Sequence, residues 1–147
     1  MSRHALRLAL LALLMLAAQP AAAACDAVVS LVDFGRLDLK DGGEITGRLE
    51  VVCDTPTTFE VALSEGHGDY RLRRMRHPDG AELRYNLYVD ATKRRVWGDG
   101  VAAGTAVIQG QSDGRKPERF VIYGLVPPDQ KVRSGGYQDN LVTILKE

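Results

Sequence analysis

Glu44-Ile45-Thr46-Gly47-Arg48-Leu49-Glu50-Val51-Val52-Cys53 is the stretch whose reading decides the fold class. Ile45, Gly47, Leu49, Val51 and Cys53 fall on one face, and Glu44, Thr46, Arg48 and Glu50 on the other. A period of two is how side chains are disposed along a pleated strand with one face buried, so Cys53 is predicted to point inward. The same period recurs in Phe59, Val61 and Leu63 against Glu60 and Ser64, and in Leu83, Tyr85, Leu87 and Val89 against Arg84, Asn86 and Asp90. Further strands are predicted over residues 27–32, 105–109, 119–125 and 137–146. Turn signals separate them: Asp41-Gly42-Gly43, Asp54-Thr55-Pro56, Pro78-Asp79-Gly80, Gly98-Asp99-Gly100, Asp113-Gly114, Pro127-Pro128-Asp129 and Ser134-Gly135-Gly136. No helical period competes, and some seven short strands predict an all-β, antiparallel sandwich. The last strand differs from the rest. Leu141, Val142, Ile144 and Leu145 place apolar groups on both faces, which predicts cover on both, from elsewhere in the domain or from another chain.

Only part of the 147-residue chain is available to that sandwich. Arg3, His4 and Arg7 form a basic start, residues 8–18 an apolar run, and Gln19-Pro20 a break before four alanines ending at Ala24. This is the pattern of a secretory signal peptide over residues 1–24, with the mature chain at 25–147. The apolar run is about half the roughly 20 residues that a membrane-spanning helix needs, so no transmembrane segment is predicted. Removing the leader leaves 48 apolar residues among 123, enough for one modest core and too few for two domains. It also leaves 17 Lys and Arg against 19 Asp and Glu. That slight acidity excludes a global basic field for nucleic acid.

Cys25 and Cys53 are the only cysteines, an even number in a chain read as exported, and a disulfide closing a loop of about 29 residues is the stronger reading. Acylation of Cys25 after Ala22-Ala23-Ala24 is the alternative, and it would leave Cys53 unpaired. Metal binding lacks ligands, because His67 and His77 sit in a distant arginine-rich stretch. No cofactor is predicted.

Enzyme signatures are missing as well. There is no G-x-S-x-G, Ser134 is an ordinary loop serine, and residues 110–116 lack the Gly-Lys-Ser/Thr ending of a phosphate loop. The densest positive region, Arg71, Arg73, Arg74, Arg76 and His77 with Lys93, Arg94 and Arg95, reads first as solvated loop and strand edge and second as a docking patch for an acidic partner or lipopolysaccharide. His67, between Gly66 and Gly68, reads as a loop residue. Trp97 reads as a plug under a loop, with a sugar-stacking platform as the other option.

The order of punctuated segments resembles the spore coat protein U domain, the pilin-like domain of archaic chaperone-usher pili. The residues that carry the resemblance are Cys25; Val32-Asp33-Phe34-Gly35; Val51-Val52-Cys53; Leu83-Arg84-Tyr85-Asn86-Leu87-Tyr88-Val89-Asp90; Val96-Trp97-Gly98-Asp99-Gly100; Tyr123-Gly124-Leu125-Val126-Pro127 with Gln130; and Gly136-Tyr137-Gln138-Asp139-Asn140-Leu141-Val142-Thr143-Ile144. Together they span the mature chain. The resemblance implies an immunoglobulin-like sandwich lacking one strand. A periplasmic chaperone and then a neighbouring pilin subunit fill that gap in turn, with an outer-membrane usher as a further partner. It marks Phe34, Gly35, Tyr85, Tyr88, Trp97, Gly98, Gly124, Gly136, Tyr137 and Asp139 as motif positions, and Leu141, Val142, Ile144 and Leu145 as the candidate strand-acceptor groove.

Two departures refine the expectation. Cleavage after Ala24 leaves no donor extension before Cys25, and the chain ends Leu145-Lys146-Glu147 where an aromatic residue is usual. The function these readings imply is an exported, non-enzymatic, adhesive subunit at the cell surface that accepts a strand, at a tip or terminal position. A standalone secreted coat or glycan-binding module is the alternative.

Overall fold

The computed structural model describes residues 22–30 and 32–147. The predicted leader lies outside them except for residues 22–24, and so does Leu31. Eleven strands follow in chain order: β1 (Cys25–Val29), β2 (Gly43–Cys53), β3 (Pro56–Leu63), β4 (Gly68–Asp69), β5 (Leu72–Arg76), β6 (Glu82–Tyr88), β7 (Val96–Trp97), β8 (Thr105–Ala106), β9 (Ile108–Asp113), β10 (Glu118–Val126) and β11 (Thr143–Lys146). The described residues contain no helix.

Two sheets result. The larger runs β1-β2-β10-β6-β5-β4, with β7 on β6 and β8 on β7; the smaller runs β11-β3-β9. Every pairing is antiparallel except β7 with β8. This is an all-β, immunoglobulin-like antiparallel sandwich. Its core is the set of inward rows that the period of two predicts: Leu49, Val51 and Ile122 from one sheet meet Phe59, Val61 and Ile108 from the other. Each fully buried side chain of this kind is worth about 1.5–3 kcal/mol. Phe59 and Phe120 meet edge to face at 6.0 Å across the layers. Gly110 lies between them, where a Cβ would stand 2.5 Å from Phe59 Cζ. Cys25 and Cys53 are a register pair of β1 and β2 and form the disulfide.

Four strand expectations change. The segment at 105–109 breaks at Val107 into two strands, and the first strand ends at Val29. Residues 72–76, read as solvated loop or edge, form β5, whose inward row holds Arg73 at 0% exposure. The final strand starts only at Thr143. Residues 133–142 instead form a strap across the end of the β5–β6 hairpin, where Gln138 pairs with Arg76. This domain covers one face of the last stretch and not the other: Leu141 and Leu145 pack on the core, while Val142 and Ile144 are 62% and 47% exposed. Paired only with β3, β11 turns one row inward and one to solvent.

Candidate functional site

A cleft of about 1640 Å³ opens along the side of the sandwich. One wall is the chain that leaves β1, whose Val32, Phe34, Leu37 and Leu39 pack on the core. The opposite wall is the strap of residues 133–141 with Thr143 at the start of β11. The floor is core: Leu63, Leu83, Tyr85, Leu87 and Trp97. At the end where β1 begins, the Cys25 N–H donates to Glu147 Oε1 at 2.8 Å and the disulfide ties Cys25 to β2. Among the described residues β11 has β3 as its one strand partner and no strand on its other edge, an arrangement that invites a further strand.

The floor is covered although it belongs to the cleft. Phe34 stands edge-on to Tyr85 at 6.2 Å and reaches over Gly124, where a Cβ would come within 2.9 Å of Phe34 Cζ. Glycine at 124 is therefore what admits the Phe34 ring. Trp97 is 0% exposed and donates Nε1–H to the Val61 carbonyl at 2.9 Å. That makes it a plug and excludes the sugar-stacking option.

Hydrogen bonds hold the strap. Asp139 accepts from the His67 N–H at 3.0 Å and from the Tyr85 hydroxyl at 2.6 Å. Burial, then the Asp139 carboxylate, pushes the Tyr85 phenol far above its ordinary pKa, so it remains a donor. Tyr137 donates to the Arg133 carbonyl at 2.7 Å and lies 5.4 Å from the His77 ring, while Arg133 pairs with Asp79. The Ala81 N–H foremost, with His77 and Arg133, lowers the Asp79 carboxyl to about 2.

A folded pKa below the unfolded value near 3.8 contributes stability above that value and loses it as pH falls toward about 2. The stability difference between wild type and Asp79→Asn is thus expected to be flat above about pH 5 and to shrink between about pH 4 and 2. Urea midpoints across that range check it.

The motif positions divide by location. Phe34, Tyr85 and Gly124 meet in the cleft, with Tyr137 and Asp139 on its strap wall and Trp97 in its floor. Gly98 abuts Thr105 and Tyr70 behind that floor. Gly35 turns the first wall at φ 63°, Gly136 is an exposed strap residue, and Tyr88 lies apart, paired with Tyr123 and Val96. Of the candidate groove residues, Leu141 lines the cleft, while Val142 and Ile144 face solvent.

The arginine cluster also divides. The buried Arg73 guanidinium donates to the Ser64 carbonyl at 3.1 and 2.6 Å, to the Trp97 carbonyl at 2.7 Å and to Asn86 Oδ1 at 2.8 Å, and stands 5.5 Å over the Tyr70 ring. Burial lowers its pKa. Arg74 and His67 share the Glu82 carboxylate at 2.9 Å each, and Lys93 pairs with Glu44.

Among the described residues no group of His, Cys, Asp or Glu could hold a metal ion, and no helix is long and apolar enough to cross a membrane. Comparison with known proteins supplies the family. Protein U of Myxococcus xanthus is 32% identical over 108 residues, which are 68% of this chain and 58% of that protein; the chain thus spans less than two thirds of that relative's length.

Among solved structures, the chaperone–tip adhesion subunit pre-assembly complex CsuC–CsuE, from the archaic chaperone-usher Csu pili of Acinetobacter baumannii, superposes with a TM-score of 0.63 at 17% identity. The match covers 85% of this chain and 40% of the matched one. The E. coli Hda pilus minor tip subunit HdaB gives 0.45 at 19% identity, over 82% and 79%. The Csu superposition shows the fold, which is that of a pilin-type subunit. With the family described as Spore Coat Protein U domain matching residues 11–144, the chain belongs to the Spore Coat Protein U domain family.

Proposed function

We propose that this chain, after loss of residues 1–24, is exported to the cell surface as a structural, adhesive subunit of a chaperone-usher pilus. Its cleft accepts a donor strand, first from a periplasmic chaperone and then from a neighbouring subunit at the usher. The observation that carries this reading is the cleft itself, which reaches the start of β11 at Thr143 over a floor of core side chains. A strand laid there would gain main-chain partners along the edge of β11 away from β3 and bury alternate apolar side chains. The likeness to a tip adhesion subunit captured with its chaperone agrees with a tip or terminal position.

Produced alone, the chain is expected to aggregate. Coproduction with a chaperone of this route, or extension past Glu147 by a linker and an alternating apolar strand, is expected to yield a soluble monomer with a higher thermal midpoint. A stable monomer indifferent to both overturns the reading. That result would favour a standalone coat module, to which one observation points: the chain's own residues already bury Trp97 and Leu87 in the cleft floor.

A further inference from the structure

The outer face of the β5–β6 hairpin carries a feature that neither the fold nor the cleft explains. Arg74 and Arg84 are direct cross-strand partners in the antiparallel register. Like charges so placed are destabilising, because opposed side chains on one face stand only about 5 Å apart at Cβ. With Lys131, from the segment after β10, they line a hollow of about 270 Å³ over Leu72 and Val132. One carboxylate, Glu82, stands in that hollow, and it is already shared: Arg74 and His67 each approach it at 2.9 Å and Arg76 at 3.6 Å.

Arg84 and Lys131 make no ion pair among the described residues. Gln130 pre-positions the Arg84 side chain, accepting from its Nε at 3.2 Å and from its backbone N–H at 2.8 Å. Three cations against one acid therefore converge on a single small hollow in a mature chain that is slightly acidic overall.

We propose that this hollow binds one multi-oxygen anionic group of an acidic glycan, a sulfate, phosphate or uronate carboxylate. The Arg84 guanidinium and the Lys131 ammonium complement such a group, with the Arg74–Glu82 pair beside them. The hollow admits a single group rather than a stretch of folded protein, and the apolar Leu72 and Val132 provide a surface for the C–H face of a sugar ring. The site lies outside the cleft and does not depend on strand acceptance.

The test is titration calorimetry on the full exported chain, made soluble by the linker and strand appended past Glu147, at constant ionic strength, since diffuse charge attraction is screened by salt and a shaped site much less so. The probes are sodium sulfate, sodium phosphate, an oligogalacturonate and a neutral oligosaccharide. The expected result is that the oligogalacturonate binds and competes with sulfate, and that Arg84→Gln with Lys131→Gln weakens it at least tenfold. Arg115→Gln with Lys116→Gln, at the turn after β9, should leave it unchanged, and the neutral sugar should not bind. Amide spectra confirm that both double variants are folded. Equal binding by all three proteins, or sulfate binding without any oligogalacturonate binding, overturns the proposal.

Discussion

Arg73→Met is expected to lower the unfolding free energy by about 3–5 kcal/mol, because buried acceptors lose a charged donor that nothing replaces. The side chain it replaces is fully buried and held without a carboxylate within ion-pair distance among the described residues. Its donors converge on two main-chain carbonyls, Ser64 and Trp97, and on the Asn86 amide oxygen. Methionine fills similar space but donates nothing. Removing the partner of a buried acceptor costs about 1–3 kcal/mol, and here the Ser64 and Trp97 carbonyls lose theirs together while Asn86 Oδ1 keeps the Leu87 N–H. The bonds also join the end of β3 to β5, β6 and β7, so their loss is expected to loosen the cleft floor around Trp97. Arg73→Lys keeps the charge but cannot spread it over all three acceptors, and should fall between wild type and methionine. Urea denaturation at neutral pH, followed by Trp97 fluorescence, measures both.

Reduction of the Cys25–Cys53 disulfide, or its replacement by Cys25→Ser with Cys53→Ser, is the second large effect. Loop-closure entropy for about 29 residues gives about 3.6 kcal/mol, a large share of the roughly 5–15 kcal/mol available to a small domain. Its position adds a local consequence. The bond fixes the first residue of β1 to the last of β2, beside the Cys25–Glu147 contact. Denaturant midpoints with and without reductant should differ accordingly, with the early loss of amide protection confined to β1. Equal midpoints would show that the loop is already restrained in the unfolded chain.

Much of the sandwich was legible because its strands are half-buried and so must alternate. Residues 44–53 correspond to β2 within one residue, and the inward row Leu49, Val51 and Cys53 is buried as its period requires. The last strand was overextended because Leu141 and Val142 carry the apolar run of Ile144 and Leu145 backward along the chain, yet Gln138 pairs with Arg76 and Asp139 is taken by His67 and Tyr85. A pattern of side chains does not say which backbone a segment pairs with. Residues 32–39 were invisible as a cleft wall for a related reason: their apolar groups, Val32, Phe34, Leu37 and Leu39, drift out of the period of two and pack without forming a strand.

Arginine in an inward row was the other source of error. Arg73, Arg74 and Arg76 are chemically alike and nearly adjacent, and local patterning assigned all three to solvent. Their fates separate only through register. Arg73 lies opposite Tyr85 on the buried face, Arg74 opposite Arg84 on the outer one, and only the first finds carbonyls converging from β3 and β7.

The sequence by itself determined the strand-rich class, the inward cysteine and the alternating core, because each follows from neighbours along the chain and a repeat of two. The tertiary structure alone decided the cleft, the strap and the separate uses of the arginines. Those depend on which distant backbones meet, through hydrogen bonds between residues whose spacing in the chain carries no periodic signal.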